Sequence, residues 1–201
     1  MKKLVMTILL GLLVVPSVMA QGYDIGDKAM NFELKNVDGS YVSLDDYKNE
    51  KGVIVVFTCN HCPYAQAWEN RIIKIHKRFH KKGFPVVAIQ PNDPELAPGD
   101  SFENMKERAQ NKNYPYPYLL DETQEVYRTY GATKTPHVFV LKNQSGDFVV
   151  KYIGTIDDNY KNPQAVEKKY LASAVNALVN GNEPSPAKTK AIGCSIKDKE
   201  K

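Results

Sequence analysis

The stretch Val53-Ile54-Val55-Val56-Phe57-Thr58-Cys59-Asn60-His61-Cys62-Pro63-Tyr64, residues 53–64, decides the fold. Its first five residues are an unbroken apolar run rich in β-branched side chains, as in a strand buried on both faces. Two cysteines follow at once, with His61 between them and Pro63 directly after. Pro63 suits the first turn of a helix, where no backbone N–H is needed. Ala65, Trp68, Ile72, Ile75 and Phe79 recur at spacings of three and four, which predicts a helix from about Cys62 to Lys82, ended by Gly83. Pro85-Val86-Val87-Ala88-Ile89 supplies a second strand. Residues 53–90 therefore read as one β-α-β unit with a right-handed crossover.

Outward from this unit, Asp38-Gly39 between Phe32-Glu33-Leu34 and Tyr41-Val42-Ser43-Leu44 predicts an N-terminal β-hairpin. The loop Gln90 to Gly99 holds Pro91, Pro94 and Pro98, which excludes regular structure there, and opens into a polar helix from about Ser101 to Asn111. After Tyr118-Leu119-Leu120, a short helix from about Thr123 to Tyr130 ends at Gly131. Strands at His137–Leu141 and Phe148–Ile153 are joined by a glycine-containing turn. A last helix, from about Pro163 to Val179, shows a stripe of Val166, Tyr170, Ala174, Ala177 and Leu178 and stops at Gly181. The fold class is α/β: a central mixed sheet flanked by helices, with an N-terminal hairpin and an insertion after the β-α-β unit.

Residues 1–20, MKKLVMTILLGLLVVPSVMA, combine Lys2 and Lys3, a short apolar core and a small-residue end at Ala20, the pattern of a secretory signal peptide cleaved after Ala20. What remains, about 180 residues, is enough for one domain with a proper core. The expected organisation is a leader at 1–20, one domain at 21–181 and an extended tail at 182–201 whose lysines are solvated. The net charge of +4 includes Lys2 and Lys3, and acidic residues are spread throughout, so no nucleic-acid partner is expected. A monomer in the bacterial periplasm is the expectation.

Cys59 and Cys62, with His76 and His80, match the spacing of a Cys2His2 zinc finger. Geometry opposes it, because a helix starting at Cys62 carries His76 about 21 Å away at 1.5 Å per residue, far beyond the reach of one tetrahedral zinc. His76 and His80 instead read as part of a solvated basic face. A purely structural Cys59–Cys62 disulfide is a weak explanation too, since so short a loop gains little from closure. The position favours redox chemistry. At the end of a strand and the start of a helix, unpaired N–H groups and the positive end of the dipole favour a thiolate at Cys59. Cys59 is then the exposed nucleophile, Cys62 the buried resolving thiol, and His61 a group that stabilises the Cys59 thiolate.

Strand, Cys-x-x-Cys, helix, strand, helix, then Thr135-Pro136 entering a hairpin and a closing helix together resemble the thioredoxin fold. Gly26-Asp27-Lys28-Ala29, Phe32, Leu34, Asp38-Gly39, Ser43-Leu44 and the insertion after Gln90 resemble its redoxin branch, which holds the TlpA/ResA-like secreted thiol-disulfide oxidoreductases and the AhpC/TSA-related peroxiredoxins. The resemblance covers about residues 22–180 and rests above all on Cys59-Asn60-His61-Cys62-Pro63 with Thr135-Pro136. It implies that Pro136 is a cis-proline beside the cysteines and that the backbone before it, at Thr135, pairs with a substrate strand. It puts Thr58 and His137 at the substrate surface. The chain departs from thioredoxins in three places: Thr58 stands where they carry Trp, Asn60-His61 replaces Gly-Pro, and Val53 to Phe57 holds no acid to act as a proton acceptor for Cys62. Histidine before the second cysteine resembles the oxidising DsbA pattern.

The expected activity is thiol-disulfide exchange with protein thiols and disulfides through a redox-active Cys59–Cys62 disulfide, with no other cofactor and no metal, served by a membrane electron donor or acceptor. Two rivals stand beside it. A thiol peroxidase would need Thr three residues before its cysteine, where Cys59 has Val56 and Cys62 has Cys59. A copper- or zinc-delivery protein would use Cys59, Cys62 and a histidine such as His61 or His137. Cys194 lies in an apolar patch, Ala191 to Ile196, of a lysine-rich tail, which suggests that this segment docks onto the domain; its role is open between an inert packed thiol, an intermolecular partner and a third redox residue.

Overall fold

The computed structural model describes residues 22–200, so the predicted leader lies outside the described residues. Strands β1 (Glu33–Asn36) and β2 (Tyr41–Ser43) form the predicted hairpin, turning at Gly39 with φ 90°. The β-α-β unit follows as β3 (Gly52–Phe57), α1 (Pro63–Phe79) and β4 (Val86–Gln90). The insertion carries α2 (Phe102–Lys112), whose first turn is capped by the Ser101 hydroxyl, and leads to β5 (Tyr118–Leu120) and α3 (Glu125–Tyr130). The chain closes through β6 (Lys134–Thr135), β7 (His137–Gln144), β8 (Asp147–Gly154), α4 (Tyr170–Val179) and β9 (Cys194–Ser195).

Seven strands form one mixed sheet in the order β2-β1-β5-β4-β3-β7-β8. β3, β4 and β5 are parallel, and the other neighbours are antiparallel. The two-residue side-chain period of β3 divides the core. Ile54 and Val56 face Trp68, Ile72 and Phe79 of α1 and Leu171 and Val175 of α4. Val53, Val55 and Phe57 face Val126, Tyr127 and Tyr130 of α3. Every residue of the predicted α1 stripe is buried. Among the described residues no helix is long and apolar enough to cross a membrane.

Three expectations need correction. The last helix begins at Tyr170, not Pro163, and its buried face is Leu171, Ala174, Val175 and Leu178. One turn earlier that face would be Glu167 and Lys168, so nothing apolar rewards extending the helix, and Val166 sits in extended chain. His76 is buried, not part of a solvated face; its Nδ1 accepts the Val86 N–H at 3.2 Å. The stretch after Asn182 packs along the domain and is not simply a solvated tail: the Ile153 N–H donates to the Ala187 carbonyl and the Thr189 N–H to the Ile153 carbonyl, and Lys188 and Lys199, half exposed, pair with acids.

Burial, helped by the His80 charge, lowers His76 to about 4, and burial lowers His137 to about 4. The unfolded chain titrates near 6.5, so between pH 6.5 and 4 it binds more protons than the native state. Stability from these neutral imidazoles is therefore present above about pH 6.5 and lost as pH falls toward 4. A fall on the order of 1 kcal/mol per pH unit per histidine is expected in urea unfolding. Equal midpoints at pH 7.5 and 5 would contradict it.

Candidate active site

The site forms where β3 ends. Thr58 prolongs the β3–β4 ladder by donating its N–H to the Ile89 carbonyl at 2.8 Å, and it is buried. It therefore supports the strand and does not present the substrate-facing surface expected of it. Cys62 is the N-cap of α1, with Pro63 in the first turn.

The two N–H groups just before the N-cap meet a residue that the sequence did not mark. Asp100, fully buried, comes in from the insertion and accepts the Asn60 N–H at 2.7 Å and the His61 N–H at 3.2 Å on Oδ1. Its Oδ2 accepts from Asn92 Nδ2 at 2.6 Å and lies 2.6 Å from His61 Nδ1. Gln90 holds the loop by donating to the Asp100 and Asn92 carbonyls. Tyr118, from β5, donates its hydroxyl to Asn60 Oδ1 at 2.9 Å. His61 is thus paired with a carboxylate, and its other face lines a cleft of about 330 Å³ with Gln66, Asn104 and Arg108.

Cys59 differs from expectation in three respects. It is buried, 4% exposed, where an exposed nucleophile was expected. It is a free thiol, because Cys62 is joined to Cys194 and not to Cys59. Burial first, and the Asp100 charge second, push its thiol up to about 11; the Thr135 hydroxyl and the Cys62 and His61 N–H groups pull the other way and lose. The anion held in the loop just before the helix is Asp100, on the Asn60 and His61 N–H groups.

Thr135 and Pro136 lie beside the cysteines. The Thr135–Pro136 peptide is cis. The Thr135 hydroxyl is 3.2 Å from Cys59 Sγ and its carbonyl oxygen 3.1 Å from Cys62 Sγ. His137 does not turn to the cysteines: its Nδ1 accepts the Thr133 N–H at 3.2 Å and its ring packs on Phe139. Cys59, Cys62 and Ala65 form one buried cluster, against which Tyr64 and Cys194 pack.

Among the described residues, Cys59, His61 and Asp100 bring ligand atoms within 4.8 Å of one another. These are the groups that could hold a soft divalent ion. The Asp100 oxygens, however, already accept three hydrogen bonds and pair with His61, and an ion would have to compete with them. Asp100 escaped the sequence reading because it lies 40 residues from Asn60 in an irregular stretch. One signal existed: a polar insertion directly after a parallel strand lies at the carboxyl end of the sheet, where sites of this architecture are built.

Among curated relatives, the chain is similar to the thiol-disulfide oxidoreductase ResA of Bacillus thuringiensis subsp. konkukian, 23% identical over 118 residues, 59% of this chain and 64% of that protein. It therefore spans a little under two thirds of that relative's length. It is also similar to the chloroplastic peroxiredoxin Q of Gentiana triflora, 26% identical over 155 residues, 74% of this chain and 67% of that one. Among solved structures, an uncharacterized conserved protein from Geobacillus kaustophilus superposes with a TM-score of 0.81 at 38% identity, covering 94% of this chain and 100% of that one. A model of the AhpC/TSA family matches residues 25–158, from the N-terminal loop past β8, and takes in Cys59, Cys62 and Pro136. On that match and that architecture, the chain belongs to the AhpC/TSA family, in the redoxin branch of the thioredoxin-like superfamily.

Proposed function

We propose that the protein is an exported thiol-disulfide oxidoreductase of the bacterial periplasm, with Cys59 as the thiol that engages a protein disulfide and Cys62 as the thiol that resolves it. The observation that carries this reading is a free thiol and a disulfide in one buried cluster beside cis-Pro136. The ResA similarity supports it. In the forward step Cys59 loses its proton and attacks a substrate sulfur, the substrate's other sulfur leaves as a thiolate, and Cys62 then attacks Cys59 to release the substrate reduced. His61, paired with Asp100 and lining the cleft, is placed to take and return the proton.

The direction we favour is reduction. DsbA is oxidising because its reduced form is stabilised, and a Cys59 held as a thiol lacks a stabilised thiolate. A reductant of this kind draws electrons from a membrane dithiol donor and works as a monomer on extended segments of protein substrates. Neither a metal nor a nucleic acid enters the reaction.

The test is the reduction potential of Cys59–Cys62 in a Cys194→Ser variant, by equilibration with dithiothreitol or glutathione. A reversible couple near that of thioredoxin, about −270 mV, is expected, and Cys59→Ser should reduce insulin only at background rate. No reversible couple would overturn the proposal. Thiol-dependent peroxide consumption faster than insulin reduction would shift it to the peroxidase side of the family.

A further inference from the structure

Thr135 touches all three cysteines. Its hydroxyl meets Cys59 and its carbonyl meets Cys62, while its Cα pairs with Cys194 in the antiparallel β6–β9 ladder. We propose that Cys194 is a third catalytic cysteine, which the C-terminal strand delivers to Cys62 so that the oxidising equivalents leave the Cys59–Cys62 pair and Cys59 is restored as a thiol.

The proposal rests on the redox reading of Cys59 and Cys62 and adds a step to it. After a substrate has been reduced, the pair is a Cys59–Cys62 disulfide and Cys194 is a thiol. The Cys194 thiolate attacks Cys62 Sγ; the Cys62–Cys194 bond forms and the Cys59–Cys62 bond breaks. Cys59 leaves as a thiolate and takes up the proton that Cys194 released. Nothing is oxidised or reduced overall. A dithiol donor then returns two electrons and two protons to Cys62–Cys194. The structure corresponds to the state just before that return: Cys62–Cys194 closed, Cys59 free.

The strand's placement supports a chemical role for this bond. The C-terminal segment is anchored at points that do not need a disulfide. Thr189 bonds to Ile153, the Lys197 carbonyl accepts from Asp93 N–H and Gln124, and Asp198 pairs with Arg128 at 2.6 Å. Lys197 N–H also donates to Asn92 Oδ1, and Asn92 holds Asp100, so the docked strand is tied to the acid beside Cys59. The approach itself is close: a Cβ on Gly193 would lie 2.2 Å from the Thr135 carbonyl oxygen. Glycine is thus required for Cys194 to reach Cys62. Cys194 lies outside residues 25–158, the span that the family match covers.

The experiment follows one turnover. Fully reduced protein is mixed with oxidised glutathione, quenched with acid, alkylated with N-ethylmaleimide and mapped. Wild type should pass through Cys59–Cys62 and end in Cys62–Cys194 with Cys59 alkylated. Cys194→Ser should stop at Cys59–Cys62. Gly193→Ala, which alters no thiol, should form Cys59–Cys62 at the wild-type rate and slow its conversion by ten-fold or more. The proposal falls if Cys59–Cys62 is the end state in wild type. It also falls if Cys62–Cys194 forms without the intermediate and resists a dithiol, which is how a structural disulfide would behave. Failure of Cys194→Ser to form Cys59–Cys62 would instead overturn the oxidoreductase reading beneath it.

Discussion

Replacing Asp100 with Asn should raise the rate at which iodoacetamide alkylates Cys59 at pH 7.5 several-fold, because removing the charge lowers the thiol's pKa and raises the thiolate fraction. The measurement is clean while Cys62–Cys194 is intact, because Cys59 is then the one free thiol among the described residues. In the wild type, burial and Asp100 hold Cys59 near 11. Its log rate should therefore climb with unit slope from pH 7 to about pH 10 with no plateau near neutrality. In Asp100→Asn the charge is gone and the burial stays, so the whole profile moves to lower pH without reaching the range of an activated thiolate.

Access to a buried thiol also affects such rates, and the shape of the profile separates the two effects. Asp198→Asn weakens the anchor to Arg128 without changing the charge beside Cys59. It should raise the rate by the same factor at every pH. A wild-type plateau near pH 7, or an Asp100→Asn profile scaled but not shifted, would mean that Asp100 does not set the Cys59 charge state. On the proposed reading this makes Cys59 a guarded nucleophile, since burial and the Asp100 charge keep it a thiol at neutral pH.

The limits of the sequence follow from the same geometry. The β3-α1-β4 unit was legible because it is local. Each of its elements is longer than one period of its pattern, and both faces of β3 are buried, so the unbroken run Val53–Phe57 has one sensible reading. The end of α4 was legible and its start was not, since Val166 continues the stripe in sequence but lies in extended chain, and the helix begins only at Tyr170, which packs on the core. At the site, Cys59, Cys62 and Pro136 were visible because motif spacing carries them. What Cys59 experiences was not, because a Cys-x-x-Cys at a helix start normally holds the local anion. Here Asp100, brought in by the insertion, accepts the Asn60 and His61 N–H groups just before the helix and adds its charge beside Cys59. Cys194 stayed open for a related reason: it meets Cys62 across 132 residues, through a strand of two residues that no periodicity announces.

Asp157→Ala should cost about 3–5 kcal/mol, the range for removing one partner of a buried ion pair. At the 2–4 °C per kcal/mol typical of this domain size, Tm should fall by about 10 °C. Asp157 accepts the Trp68 indole N–H at 2.8 Å and the Arg71 guanidinium at 2.7 Å on both oxygens. Arg71 donates in addition to the Asn159 and Tyr160 carbonyls, and both charged side chains are largely buried, 14% and 6% exposed. Without the carboxylate, an indole N–H and a guanidinium lose their partner in the seam between α1 and the loop after β8. The exposed pair Lys106–Glu103 offers the contrast: Glu103→Ala there should change stability by under about 1 kcal/mol. Much of the cost at Asp157 is an orphaned cation, not lost attraction. Arg71→Met combined with Asp157→Leu should therefore be less destabilising than Asp157→Ala alone. If the double replacement proves worse, the four-way hydrogen bonding of Arg71 is itself the stabilising feature, and α1 owes its seat to that geometry more than to charge.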